Sequence, residues 1–142
     1  NSCVSEEGQA ISPIKFKKLL DDTMKELKID PEFANRSINK GFSGGEKKKV
    51  EVLQLKILKP KIAVLDETDS GLDIDALKTV SEGINSLRSG DDKLTCLLVT
   101  HYARILDYVA PDHIHIMVNG KIVESGGPEV ASKLEETGYK DY

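Results

Sequence analysis

Lys61–Leu77 reads KIAVLDETDSGLDIDAL. It opens with a short continuous apolar run, Ile62–Leu65, that ends in two acids, Asp66 and Glu67. Its length and its Val/Ile content suit a strand buried on both faces, as in a parallel sheet. The turn DSGLD (69–73) follows. Asp73 then stands where a helix N-cap belongs, ahead of Ile74, Leu77, Val80, Ile84 and Leu87 at helical spacing. Strand, turn and helix in this order predict an α/β fold.

The alternation continues downstream. LTCLLVT (94–100) reads as a second buried strand, with Cys96 in the core. Ser89–Asp92 separates it from the preceding helix. A short helix is expected over Tyr102–Val109, then a strand over His113–Val118. Asn119–Gly120 predicts a tight hairpin turn into KIVES, and a last helix runs from Pro128 to Glu136 and closes at Gly138.

Upstream, a helix is expected from Gly44 to Leu58, with Val50, Leu53, Ile57 and Leu58 as its apolar stripe and Pro60 as its stop. Ile29–Lys40 carries Pro31, Asn35, Ser37 and Asn39 and reads as a connection. Residues 12–28 form an amphipathic helix, capped by Ser12 with Pro13 in its first position. Phe16, Leu19, Leu20, Thr23, Met24 and Leu27 make its buried face.

The bulk numbers narrow the classes. A chain of 142 residues is one domain or part of one. With 39% hydrophobic and 31% charged residues it is globular rather than disordered. A net charge of −4 argues against a strongly basic face for nucleic acid. No apolar run approaches the length of a bilayer span. Asn1–Gln9 is polar and acidic, unlike a secretory signal. Cys3 and Cys96 show no metal or redox spacing, which points to a reducing compartment.

Chemistry concentrates at three places. On an extended backbone Asp66 and Glu67 point in opposite directions. One can then hold Mg²⁺ while the other orients an attacking water in phosphoryl transfer. A strand end whose acids cap a loop or face solvent explains the pair equally well. In GFSGGEKKK (41–49), Ser43 and Glu46 have the spacing of a capping box, which is a complete structural explanation. The same geometry leaves the amides of Gly44 and Gly45 at a helix N-terminus, where an anion can bind. Lys47–Lys49 is most simply a solvated face. His101 follows LLVT directly, at the sheet edge expected to carry Glu67. His113 and His115 share a strand face, but no Cys or acid lies at suitable spacing for a metal site. No GxxxxGK[ST] occurs, and Glu46 occupies the second glycine's place in GFSGGEK.

Taken together, FSGGEKK, IAVLDE, SGLD and a histidine after a strand resemble the second half of an ABC-type ATPase domain, over roughly residues 40–125. The resemblance implies part of a P-loop NTPase fold. Residues 1–58 would be the later part of the helical subdomain with its signature helix, and 59–142 the C-terminal half of the ATP-binding core. It implies that Ser43, Gly44, Gly45 and Glu46 contact the γ-phosphate of ATP held by an opposite subunit. Asp66 would sit near Mg²⁺, through water, and Glu67 would be the catalytic carboxylate. Ser70–Asp73 would lie at the dimer contact, with Asp73 at the nucleotide, and His101 would sense the γ-phosphate.

ETDSGLD departs from the transporter-like EPTSALD. With KGFSGGEKKK, HYARILDYVAPD and LEETGYKDY it is similar to the ABC ATPases of the SUF iron–sulfur cluster assembly system, weakening before residue 30. That resemblance implies an ATP- and Mg²⁺-dependent dimer with a second copy, working on SUF scaffold proteins without membrane or nucleic acid. The implied location is the cytoplasm, or a plastid stroma. The family's phosphate loop would lie upstream of residue 1, so the chain is expected to be a C-terminal fragment, inactive by itself. Two alternatives stay open: a lobe of a DNA-repair or chromosome-type ABC ATPase, and an inactive interaction fragment. The first of these lacks support from heptads in residues 1–40.

Overall fold

The structure is a computed structural model that describes residues 11–37, 40–89 and 93–138. Cys3, Asn39, the expected helix break at Gly90–Asp92 and the terminal Tyr139–Tyr142 lie outside these residues. The elements run α1 (Pro13–Glu26), α2 (Gly44–Leu58), β1 (Ile62–Asp66), α3 (Ile74–Arg88), β2 (Thr95–Val99), β3 (Ile114–Val118), β4 (Lys121–Gly126) and α4 (Glu129–Thr137). Two compact units result, one up to Thr100 and one from His101. This division falls inside the stretch expected as the ATP-binding core and does not bear on the boundary expected after Leu58.

In the first unit, Ser12 caps α1 through the Lys15 amide and Pro13 begins it. Thr23, Met24 and Leu27 carry the buried end of its apolar face. The following connection contains a 3-10 turn, Pro31–Asn35, which Asp30 starts by accepting from the Glu32 amide at 2.9 Å. Along α2, Val50 and Leu53 are buried as the stripe requires, but Leu58 is exposed. Val52, which the spacing does not single out, is wholly buried. The cause is α3, whose Gly83 lets the two helices meet at Val52: a Cβ there would lie 2.7 Å from Val52 Cγ1. On α3, Leu77, Val80 and Ile84 enter the core while Ile74 stays exposed.

β1 and β2 pair in parallel, from Ile62 opposite Thr95 to Asp66 opposite Val99. The expected burial on both faces is not found. Ala63 and Leu65 are buried, but Ile62, Val64, Leu97 and Val99 share the other face and are 45–69% exposed. Two strands alone leave that face without a covering layer among the described residues. Cys96 accordingly is half-buried rather than in the core, and that partial burial pushes its thiol pKa up.

In the second unit a 3-10 turn, Ala103–Asp107, replaces the expected short helix, with Ile105 and Val109 buried. β3 and β4 form the expected hairpin. Asn119 and Gly120 have φ of 50° and 76°, as a two-residue turn of the I′ kind demands. The ladder shifts register between Ile116 and Met117. α4 ends at Gly138, whose φ is 66°. Lys133 on α4 holds Glu124 of β4 at 2.8 Å.

Candidate functional site

The N-terminus of α2 is built as the sequence predicts. The Ser43 amide donates to Glu46 Oε2 at 2.7 Å, and the Glu46 amide donates to Ser43 Oγ at 3.3 Å. The Ser43 backbone N–H, and then its hydroxyl, hold the Glu46 carboxyl below the usual glutamate range. The first i to i−4 bond runs from the Lys47 amide to the Ser43 carbonyl. Gly44 and Gly45 therefore lie in the first turn, where helix amides have no intrahelical acceptor. A Cβ on Gly45 would touch Leu72 and Ala76 at 3.7 and 3.8 Å. A Cβ on Gly44 would meet none of the described residues within 4 Å. Of the lysine run, Lys48 pairs with Glu51 at 3.2 Å and Lys49 reaches the Lys28 carbonyl at 3.4 Å, while Lys47 is exposed.

The acids sit at the C-terminal end of β1, and both are exposed. Asp66 is the last strand residue. Glu67 does not continue the extended alternation expected of it. Its φ is 47°, left-handed, a conformation that costs a non-glycine residue energy and recurs at functional sites. Its amide still continues the ladder, donating to the Val99 carbonyl at 2.9 Å, and its carbonyl accepts from the Ser70 amide at 3.1 Å. The backbone thus reverses direction at the second acid. Asp66 and Thr68 line a largely apolar pocket of about 230 Å³ together with Glu51, Gln54 and Leu58 of α2.

Asp73 caps α3, its Oδ1 accepting from the Ala76 amide at 2.7 Å. Gly45 rests against Leu72 and Ala76, so the α2 N-terminus and the 69–73 turn are brought together. His101 opens the second unit; it is exposed, with its ring centroid 4.0 Å from that of Tyr102.

Three residues escaped the sequence reading. Asp69 is buried and accepts a bond from Thr100 Oγ1 at 2.7 Å. Thr68, beside it, is 1% exposed and its hydroxyl has no hydrogen-bond partner among the described residues. The one available signal was a third acid in the turn after β1, opposite a strand that ends in threonine.

No family model matches the chain. In sequence it is 56% identical over 134 residues to vegetative protein 296 of Bacillus subtilis (strain 168), covering 94% of this chain and 51% of that protein. It is 47% identical over 140 residues to the probable ATP-dependent transporter SufC of Escherichia coli (strain K12), covering 98% and 56%. The probable ATP-dependent transporter ycf16 of Cyanophora paradoxa is 49% identical over 140 residues, covering 98% and 53%. The chain spans about half the length of these curated relatives. Among solved structures it matches MJ1267, an ATP-binding cassette of an ABC transporter, at 25% identity and a TM-score of 0.64, covering 83% of this chain and 45% of that one. The dimeric bacterial cassette MJ0796 matches at 22% identity and 0.69, covering 83% and 49%.

The chain has the fold of part of an ABC-type ATP-binding cassette, as FSGGEKK and IAVLDE implied. By sequence it is similar, over nearly all its length, to the ABC ATPases named SufC and ycf16, as LDETDSGLD and HYARILDYVAPD implied. No helix among the described residues is long and apolar enough to cross a membrane.

Proposed function

We propose that the protein carrying this chain hydrolyses ATP in a head-to-tail dimer with a second copy, and uses that cycle to assemble iron–sulfur clusters on a scaffold. The observation that carries the reading is Gly44. Nothing among the described residues requires glycine there: a Cβ would meet none of them within 4 Å, and φ is not left-handed. Ser43 and Glu46 are occupied with each other, so the open surface of the helix end is the glycine backbone itself. A phosphate approaching from another subunit accounts for a residue without a Cβ.

The other residues take roles consistent with their places. Asp66 offers an exposed carboxylate at the end of β1, a hard oxygen donor of the kind Mg²⁺ takes, directly or through water. Bound there, the ion would neutralise phosphate charge. Glu67 would orient the attacking water, and His101 would contact the γ-phosphate. Asp73 would lie at the subunit contact while capping α3. A neighbouring cassette supports the assembly: MJ0796 is dimeric, and in a second structure it is dimeric with ADP and Pi bound. The names of the relatives support the ATP dependence and the SUF assignment; a cytoplasmic or stromal setting would go with that assignment.

Glu67→Gln in the whole protein tests this. ATP turnover should nearly vanish while ATP binding survives; undiminished turnover would overturn the role of Glu67. The 142-residue chain carries no GxxxxGK[ST] and should by itself show no magnesium-dependent ATPase activity.

A further inference from the structure

Asp69 and Thr100 lie 31 residues apart in sequence and are joined by the 2.7 Å bond from Thr100 Oγ1 to Asp69 Oδ2. Asp69 is 6% exposed, and a carboxylate that deep is costly unless a donor satisfies it. Thr100 supplies that donor at the end of β2. A second tie runs beside it, from the Glu67 amide to the Val99 carbonyl at 2.9 Å. The turn is also closed on itself, with the Leu72 amide at 3.4 Å from the Asp69 carbonyl. The segment after β1 is therefore fastened to β2 at two adjacent points. One is the backbone of Glu67, and the other is the side chain two residues on. Between them the chain carries the left-handed φ of 47° at Glu67. Such a conformation persists in a non-glycine residue only when its surroundings enforce it.

We infer that Asp69 and Thr100 are positioning residues for Glu67. Their bond holds the turn against β2 and fixes the direction in which the Glu67 carboxylate leaves the sheet edge. This rests on the reading of Glu67 as the group that orients water. Neither Asp69 nor Thr100 is placed on reacting atoms, because each is committed to the other. The loss of orientation, rather than of binding, is what their removal should cause: misplacing a catalytic group by about 1 Å lowers turnover by up to about 100-fold.

The test uses the whole protein with Thr100→Val, Thr100→Ser, Glu67→Gln and the Glu67→Gln/Thr100→Val double variant. Thr100→Val should lower kcat about 10- to 100-fold with KM for ATP changed less than about 3-fold. Thr100→Ser, which restores the hydroxyl, should recover most of the loss. In the Glu67→Gln background Thr100→Val should cause no further fall in residual turnover, because groups acting as a unit are not additive. Equal falls in both backgrounds would overturn the inference, as would a fall explained by lost folded protein in circular dichroism. Should Thr100→Val not fold, Asp69→Asn is read instead. It keeps an acceptor of the same size but not the charge: an intermediate kcat at unchanged KM supports the inference, and a wild-type kcat overturns it. If Glu67→Gln alone leaves turnover intact, the reading of Glu67 fails, and this is seen before any Thr100 variant is measured.

Discussion

Gly83 of α3 meets Val52 of α2 so closely that a Cβ on Gly83 would lie 2.7 Å from Val52 Cγ1 and 3.0 Å from Leu27 Cδ2. Val52 and Leu27 are themselves 0% and 1% exposed, so neither can swing aside. Three helices converge on this one missing side chain. Gly83→Ala should therefore destabilise the protein by about 1–3 kcal/mol, the usual cost of overpacking. It would be read as a lower urea midpoint at unchanged slope. Adding Val52→Ala should return part of the loss despite its own cavity. An unmoved midpoint in Gly83→Ala would show that the helices are not this close.

Lys56 ties the same helices together from their polar side. Its Nζ lies 2.6 Å from Glu26 Oε1 of α1 and 2.6 Å from Ser86 Oγ of α3. The Lys56 side chain is only 12% exposed, whereas that of Glu26 is 52% exposed. The solvent-facing partner screens the pair, so the contribution is held to about 1 kcal/mol rather than the larger value of a buried ion pair. Lys56→Met should lower the stability by that amount, read as a lower urea midpoint at unchanged slope, and Glu26→Gln by less. A larger loss in Glu26→Gln than in Lys56→Met would contradict this account.

The capping box makes a prediction with a definite sign in pH. Glu46 titrates below its ordinary value of 4.5 because the Ser43 amide and hydroxyl favour its charged form. Near that pH the unfolded chain binds more protons than the folded one. The contribution of Glu46 is therefore complete above the ordinary value and is lost as pH falls through the lowered one. The difference in Tm between wild type and Glu46→Ala should be constant near neutrality and narrow below about pH 4.5. A difference that widens on acidification would reverse the assignment. Ser43→Ala should cost about 1 kcal/mol, as loss of an N-cap does.

The parts of the molecule legible in the sequence are those set by local chemistry. Ser12, Ser43 and Asp73 cap the helices assigned to them, and Asn119–Gly120 turns the hairpin, because caps and turns depend on residues three or four apart. Less was legible where the deciding neighbour is distant. Val52 falls off the α2 stripe on spacing and is buried only because Gly83, 31 residues later by number, lets α3 approach. The run IAVLD specifies a strand buried on both faces, yet Ile62 and Val64 are exposed, since burial depends on a layer the described residues do not contain. At the site, the order of Asp66 and Glu67 was readable. The reversal of the backbone between them was not, because no local residue announces a left-handed glutamate.

That left-handed glutamate can be tested apart from its chemistry. Glu67 has a φ of 47°, in the region where Cβ crowds the backbone of any residue but glycine. Comparing Glu67→Gly with Glu67→Ala removes the carboxylate from both and leaves only the Cβ as the difference. Left-handed geometry costs an L-residue about 1–2 kcal/mol, and the greater freedom of unfolded glycine takes back about 0.5–1 kcal/mol. Glu67→Gly should thus be the more stable of the two by about 0.5–1 kcal/mol, measured as a higher urea midpoint. At almost any exposed residue in a strand the order is the opposite, since alanine normally exceeds glycine in stability. Both variants should lose ATP turnover in the whole protein as Glu67→Gln does. An alanine variant at least as stable as the glycine one would mean that the chain does not hold this conformation, and would remove the strain that the Asp69–Thr100 tie is there to hold.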